Sequence, residues 1–228
     1  MRHIFDHTVL DELSEIVAPK HTAVLIIDVQ NDFCSAGGFF DRQGKDLSMI
    51  QDMIPRLAAF VKTARAQGVR VVFIQQTTEP EGRSDSDAWL RLKTRGGSDG
   101  QYTILGSWGH DFVVSLTPTP EDVIIAKTRS SGFTRTRLLQ HLTDEGIRTV
   151  IATGTTTQGC VESTARDATF HDFYAVLPTD LVASTRRDLH DASLLVQSVR
   201  HEMTSSTELV SIWKQRDGQT MPREQRSA

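Results

Sequence analysis

The sequence predicts an α/β protein: a single domain built on a doubly wound, mostly parallel sheet of six strands with helices on both faces. Three observations carry this. Short apolar runs alternate with segments of helical periodicity along the whole chain. The run TAVLII, Thr22 to Ile27, is apolar on both faces, as a strand covered by helices on either side must be. Glycines at 68 and 146 stop the two best helical patterns just before the next apolar run.

In order, residues 1–19 read as an acidic lead-in with one short helix around Val9 to Ile16, closed by Pro19, and residues 20–213 as the domain. After TAVLII, the Gly, Asn and Asp content of VQNDFCSAGGFFDRQGKD predicts a loop. Ile50, Ile54, Leu57, Ala58 and Val61 recur by threes and fours, which predicts a helix over Leu47 to Gln67, followed by a strand over Val69 to Ile74. From Gln75 to His110 periodicity is lost, the composition of a lid, a binding wall or a subunit contact; Trp89 and Trp108 lie in it, and at least one of them is expected merely to pin the loop to the body. Strands follow over Glu121 to Ala126, Ile147 to Thr153 and Phe173 to Leu177, with helices over Arg135 to Asp144 and from Cys160 to about Asp172. A helix over Arg186 to His201, with Leu189, Ala192, Leu195, Val196 and Val199 inward, precedes a last strand over Thr207 to Ile212. Residues 214–228 form a polar tail without periodicity.

The totals exclude several classes. Net charge is −4, from 25 basic and 29 acidic residues, so no positive field invites nucleic acid or anionic lipid. No stretch approaches the roughly 20 apolar residues of a membrane span, and MRHIFDHTVLDELSE is too polar for a signal peptide. A cytoplasmic protein with free thiols at Cys34 and Cys160 is the expectation. Those two cysteines form no C-x-x-C pair, which argues against a redox function.

Three potent side chains fall at the carboxyl ends of separate strands: Asp28, Lys127 and Cys160. In open α/β sheets ligands bind at that rim. Taken singly, Asp28 serves as readily as a turn cap, Lys127 as a solvated strand end and Cys160 as a small core residue. Together they form a base, a cation and a nucleophile. Cys160 stands where a strand end meets a helix start, so backbone N–H groups and the helix dipole are expected to favour its thiolate. Gly154 and Gly159 have the spacing of a phosphate loop, but Cys160 and Val161 stand where Lys and Ser or Thr should follow.

The blocks VLIIDVQNDF, IIAKTRSSGF and ATGTTTQGCVESTARDA, in this order and spacing, resemble the isochorismatase-like cysteine hydrolases across residues 20 to 213. The resemblance implies a Rossmann-type α/β fold, a catalytic triad of Asp28, Lys127 and Cys160, and a cis peptide between Thr155 and Thr156. It also implies an oxyanion hole from the backbone of Thr156 and Cys160, and Phe33 as an apolar wall, with ordinary loop packing as the alternative for that residue. Within the family, DFC-x-x-GG-x-x-D-x-x-G-x-DLS at Asp32 to Ser48 is similar to biuret hydrolases and ureidoacrylate amidohydrolases. TGTTTQGC is nearer to N-carbamoylsarcosine and maleamate amidases, and Gln158 stands where the ureidoacrylate enzymes carry Asn. Arg200 falls where biuret hydrolases place a substrate-contacting Gln, which implies a longer or anionic ureido substrate.

The activity this resemblance implies is that of an amidohydrolase releasing ammonia from a small linear amide, ureido or carbamoyl compound through a thioester, without cofactor, in a protein assembled as a homo-oligomer, dimer or tetramer. No metal is expected: the nicotinamidase branch carries an Asp-x-His site after the second strand, where Gln75 to Thr78 stand here, and Asp188-x-His190 lies at a helix start without further ligands. The other readings are an N-carbamoylsarcosine- or maleamate-type amidase, an isochorismatase proper, which needs no cysteine, and a non-catalytic interaction module.

Overall fold

In the computed structural model, which describes residues 1–220, the chain begins with a hairpin of β1 (Arg2–Ile4) and β2 (His7–Val9), followed by one helical turn, α1 (Leu13–Ile16). The helix read from Val9 onward is only its last turn, because Arg2 to Val9 pair as an antiparallel ladder. Leu10, Ile16, Val17 and Ala18 sink into the main core.

Strand β3 (Thr22–Ile27) is buried along its whole length. The segment after it is not a plain loop but holds two short helices, α2 (Asn31–Cys34) and α3 (Phe39–Arg42). The long helix α4 (Ser48–Ala66) buries Ile50, Met53, Leu57, Phe60, Val61 and Ala64, and ends at Gly68 in the left-handed region. Strand β4 (Arg70–Gln76) leads to a region that contains a further helix, α5 (Asp87–Lys93), capped by the Ser86 side chain accepting from the Trp89 N–H. Next come β5 (Val123–Lys127), α6 (Leu138–Asp144), β6 (Thr149–Thr155), α7 (Glu162–Phe170), β7 (Tyr174–Pro178), the two-residue β8 (Val182–Ala183), α8 (Arg187–Gln197), β9 (Glu202–Thr204) and α9 (Ser206–Thr220).

The main sheet has seven strands rather than six, in the order β5-β4-β3-β6-β7-β9, with β8 paired to β6, and all its pairs are parallel. The chain winds outward from β3 in one direction and then, with β6, in the other. Alternation along β3 sends Val24 and Ile26 into one hydrophobic layer with α4 and α9, and Ala23, Leu25 and Ile27 into a second with α6 and α7.

Three sequence expectations fail in the last quarter. Thr207 to Ile212 is helix, not strand: Leu209 and Trp213, one turn apart, are both fully buried, and the final strand is the shorter β9 before them. In α8 most of the apolar residues face outward: Leu189, Ala192, Leu195 and Val196 are exposed, as is Val199 just past its end, and only Leu194 is half-buried, whereas His190, Ser193 and Gln197 are buried. The expected tail from Lys214 continues α9 to Thr220, and residues 221–228 lie outside the described residues. No described helix is long and apolar enough to cross a membrane.

Candidate active site

The point where strand order reverses lies between β3 and β6, and the carboxyl ends of β3, β5 and β6 deliver Asp28, Lys127 and Cys160 to it. Asp28 leaves β3 in a left-handed conformation, φ 54°, which turns its side chain sharply out of the strand. Lys127 is the last residue of β5 and reaches across the end of β4. β6 can lie this close to β3 because Gly154, at φ 105°, has no Cβ: one built there would stand 2.2 Å from the Ile27 carbonyl oxygen. The Thr155–Thr156 peptide is cis, as the resemblance implies.

Lys127 Nζ sits at the centre. It lies 2.9 Å from Asp28 Oδ2, 2.8 Å from Gln76 Oε1, 3.1 Å from the Arg129 carbonyl oxygen and 3.3 Å from Cys160 Sγ. Gln76 is itself fixed by Gln30, which accepts from the Gln76 N–H at 2.8 Å and donates to the Gln76 carbonyl at 2.9 Å. Asp28 and Lys127 are both about 1% exposed, so removing either partner would leave the other's charge buried and uncompensated. Asp28 Oδ1 is buried with no partner.

Burial pushes the Asp28 carboxyl above the usual carboxylate range, against the pull of Lys127. For Lys127 burial works the other way, yet Asp28 and Cys160 outweigh it and raise the ammonium pKa. Burial and then the Asp28 charge push the Cys160 thiol up to about 12. This corrects the expected thiolate. Cys160 does not open a regular helix but lies in a wide turn, Thr157–Val161, broken at Gly159, and α7 starts only at Glu162. A carboxylate and desolvation meet the sulfur there instead of a helix dipole.

Above these groups opens a cavity of about 300 Å³. Its floor is Asp28, Gln76, Thr155, Thr156 and Cys160, and its walls include Phe33, Phe40, Trp89, Leu92, Lys93 and Tyr102. The Phe33 ring packs 4.9 Å from Phe40 and 5.6 Å from Tyr102, so it both lines the cavity and packs the loop. The structure thus brings together Asp28, Phe33, Lys127, Thr155, Thr156 and Cys160. Arg200 is not among them. It is exposed, beyond the end of α8 and just before β9, which places it at the amino rim of a parallel sheet whose cavity is at the carboxyl rim.

Sequence reasoning missed Gln76, Lys93 and Tyr102, whereas Trp89 lies in the stretch read as a lid or binding wall and does line the cavity. Lys93 lines the cavity, its ammonium bound to Asp85 Oδ2 at 2.9 Å and Thr78 Oγ1 at 3.2 Å and seated 4.5 Å over the Tyr102 ring. Trp89 carries the Arg129 guanidinium on its face at 5.1 Å. Trp108, by contrast, is half exposed and contributes its carbonyl to Asn31. A larger hollow of about 380 Å³ lies at the opposite rim, lined by the Arg65–Asp122 and Arg70–Glu145 pairs and by no nucleophile. Of the Asp188-x-His190 pair, Asp188 binds Arg186 and His190 turns inward to Thr157. Among the described residues no group of three or more His, Cys, Asp or Glu side chains is placed to hold a metal ion.

Similarity to known proteins agrees with this architecture. An isochorismatase domain matches residues 22–209. The ureidoacrylate amidohydrolase RutB of Enterobacter sp. (strain 638) is 35% identical over 173 residues, 72% of this chain and 75% of that protein. An isochorismatase-like hydrolase from Alkaliphilus metalliredigens superposes with a TM-score of 0.69 at 27% identity, covering 84% of this chain and 98% of the other. A cysteine hydrolase from Pseudomonas syringae pv. phaseolicola 1448A shares the fold, with a TM-score of 0.77 at 22% identity over 88% of this chain and 95% of the other. Matched over most of its length, and with its chemically potent side chains gathered at the switch point, the chain belongs to the isochorismatase family.

Proposed function

We propose that this protein is a cysteine amidohydrolase that cleaves a C–N bond of a small linear ureido, carbamoyl or amide compound and releases ammonia. The observation that carries the reading is Lys127 Nζ standing 2.9 Å from Asp28 Oδ2 and 3.3 Å from Cys160 Sγ, two side chains that line a small cavity. The likeness to ureidoacrylate amidohydrolases supports a ureido substrate, and the volume suits a compound of the size of ureidoacrylate, biuret or triuret.

In this reading the Asp28 carboxylate takes the thiol proton as Cys160 Sγ bonds to the substrate carbonyl carbon, and the carbonyl electron pair moves onto oxygen. The N–H groups of Thr156 and Cys160 hold that oxyanion, each donor worth about 3 kcal/mol. On collapse the C–N bond breaks, Asp28 returns the proton to the leaving nitrogen, and ammonia departs from a thioester. Asp28 then takes a proton from water, whose oxygen attacks the thioester carbon. The C–S bond breaks and the proton returns to sulfur. Because the thiol rests protonated, the carboxylate must move the proton during the attack; Lys127 stabilises the negative charge in whichever partner holds it.

Incubation of the purified protein with ureidoacrylate, biuret, triuret, N-carbamoyl amino acids and maleamate, scored by ammonia release, tests the reading. At least one ureido or carbamoyl compound is turned over, and Cys160→Ala abolishes the activity while circular dichroism stays unchanged. Silence on every compound, or activity in Cys160→Ala, refutes it. The family resemblance further proposes a homo-oligomer. Light scattering of the purified chain returns two or four times 25.4 kDa, and a monomer would sink that expectation.

A further inference from the structure

Cys160 rides on a turn whose two ends are gripped by one helix. The turn Thr157–Val161 leads directly into Glu162, and α8 packs across it. The face of α8 toward the turn is polar: His190, Ser193 and Gln197 are 5%, 4% and 1% exposed. Burying such groups costs free energy unless they are bonded, and here the bonds converge on the turn. His190 Nδ1 lies 2.8 Å from Thr157 Oγ1, three residues before the sulfur. Ser193 Oγ lies 2.5 Å from Glu162 Oε2, two residues after it, and 3.3 Å from the Thr157 carbonyl oxygen. A serine has one hydroxyl hydrogen, and the short contact to a carboxylate takes it. Gln197 Nε2 in turn donates to Ser193 Oγ at 3.0 Å, and Arg166 Nε and Nη2 donate to Glu162 Oε1 at 3.0 and 2.9 Å.

Apolar residues at 190 and 193 would pack α8 onto the sheet at least as well, and α8 has apolar residues available, since it leaves Leu195 and Val196 exposed. What the polar face supplies is direction. We propose that His190 and Ser193 are positioning residues for the nucleophile, fixing Thr157 and Glu162 so that the turn holds the Cys160 sulfur against Asp28 and Lys127.

This rests on the reading of Cys160 as the nucleophile, and the test is chosen so as not to need turnover. The rate at which iodoacetamide alkylates Cys160 is followed against pH, with peptide mass spectrometry separating it from Cys34. The charged groups facing the sulfur are Asp28 and Lys127. Those acting on His190 are Arg187 and Asp191 of its own helix, and the facing turn, Thr157–Val161, has Cys160 as its one titratable side chain. Held in place, the thiol reacts slowly at pH 8. His190→Phe keeps the ring and removes its nitrogens, so the turn loosens, the half-buried sulfur moves away from the Asp28 carboxylate, and the apparent alkylation pKa falls by at least ~1 unit, about tenfold more thiolate at pH 8. Ser193→Ala shifts the profile in the same direction, and His190→Asn, whose amide can stand in place of Nδ1, restores the wild-type profile.

Profiles of His190→Phe and Ser193→Ala that superimpose on the wild type overturn the proposal. So does a His190→Asn profile as shifted as that of His190→Phe, which would mean packing rather than a hydrogen bond. If His190→Phe does not fold by circular dichroism, Ser193→Ala decides alone, a shifted profile supporting and a superimposable one overturning. The ammonia screen can fail without touching this result, and this result can fail while the screen succeeds.

Discussion

Asp28 combines a left-handed backbone, near-complete burial and one oxygen without a partner, a set of costs that a turn cap would not carry. Its raised pKa has a definite consequence. As a base it must be ionised, so activity is lost as pH falls through a value above the ~4 of an ordinary carboxylate. The acid limb of the kcat/KM profile therefore lies above that value, and Asp28→Asn, which keeps the shape and loses the base, falls by roughly 10³-fold. An acid limb at or below pH 4, or an Asn variant retaining a tenth of the activity, would remove Asp28 from the mechanism. The positions of Asp28, Lys127 and Cys160 were legible because the first two stand at the ends of apolar runs and the third in the Gly-bracketed turn that follows another. The state of the sulfur was not. It depends on Asp28 and Lys127, which come from two other strands and stand 99 positions apart in the chain, and no local pattern records which of them ends up touching it. Arg200 failed for a related reason: sequence spacing puts it near the right helix, but only the direction of β9 shows which rim it occupies.

The helix α5 and its flanks are the least readable element, since seven residues give two turns and its inward side chains are a Trp, a Leu and a Lys. Its anchor is the Lys93–Asp85 pair, whose side chains are 1% and 2% exposed. Lys93→Met leaves Asp85 buried and unpaired, a loss of about 3–5 kcal/mol when such a pair is broken from one side. That energy falls on the segment rather than on the sheet. Amide exchange in residues 80–100 accelerates, and KM for whichever compound is turned over rises as the Trp89 and Tyr102 walls loosen. Adding Asp85→Asn to Lys93→Met recovers part of both effects, because the orphan charge is gone. Equal exchange rates in wild type and Lys93→Met would show that the pair anchors nothing. Helix α8 misleads in a different way. Its periodicity is helical, as read, but apart from the half-buried Leu194 its apolar residues face outward and a polar stripe faces inward, an arrangement that a bonded network permits and that periodicity alone cannot signal.

At the scale of the molecule, the sheet separates two hydrophobic layers that are closed by different parts of the chain. One is sealed by α6 and α7, whose residues are close in sequence to the strands they cover. The other is sealed by α4 together with α9, and α9 reaches back to the beginning of the chain: Trp213 Nε1 donates to the Val17 carbonyl at 2.8 Å, and its ring lies 5.3 Å from Phe60. The alternation of strands and helices was enough to give the doubly wound class. This closure was not legible, because TELVSI reads equally as a strand until Leu209 and Trp213 are seen to share one buried face. Trp213 is fully buried on the layer remote from Cys160. Trp213→Ala therefore costs the fold about 3–5 kcal/mol through the cavity it opens and the orphaned Val17 carbonyl. In a chain of this length that lowers Tm by roughly 10 °C. Cys160 belongs to the fringe of the other layer, so turnover well below the new Tm stays near the wild-type rate. An unchanged Tm would mean that α9 merely rests on the sheet, and a loss of turnover at low temperature would mean that the two layers are coupled through the strands.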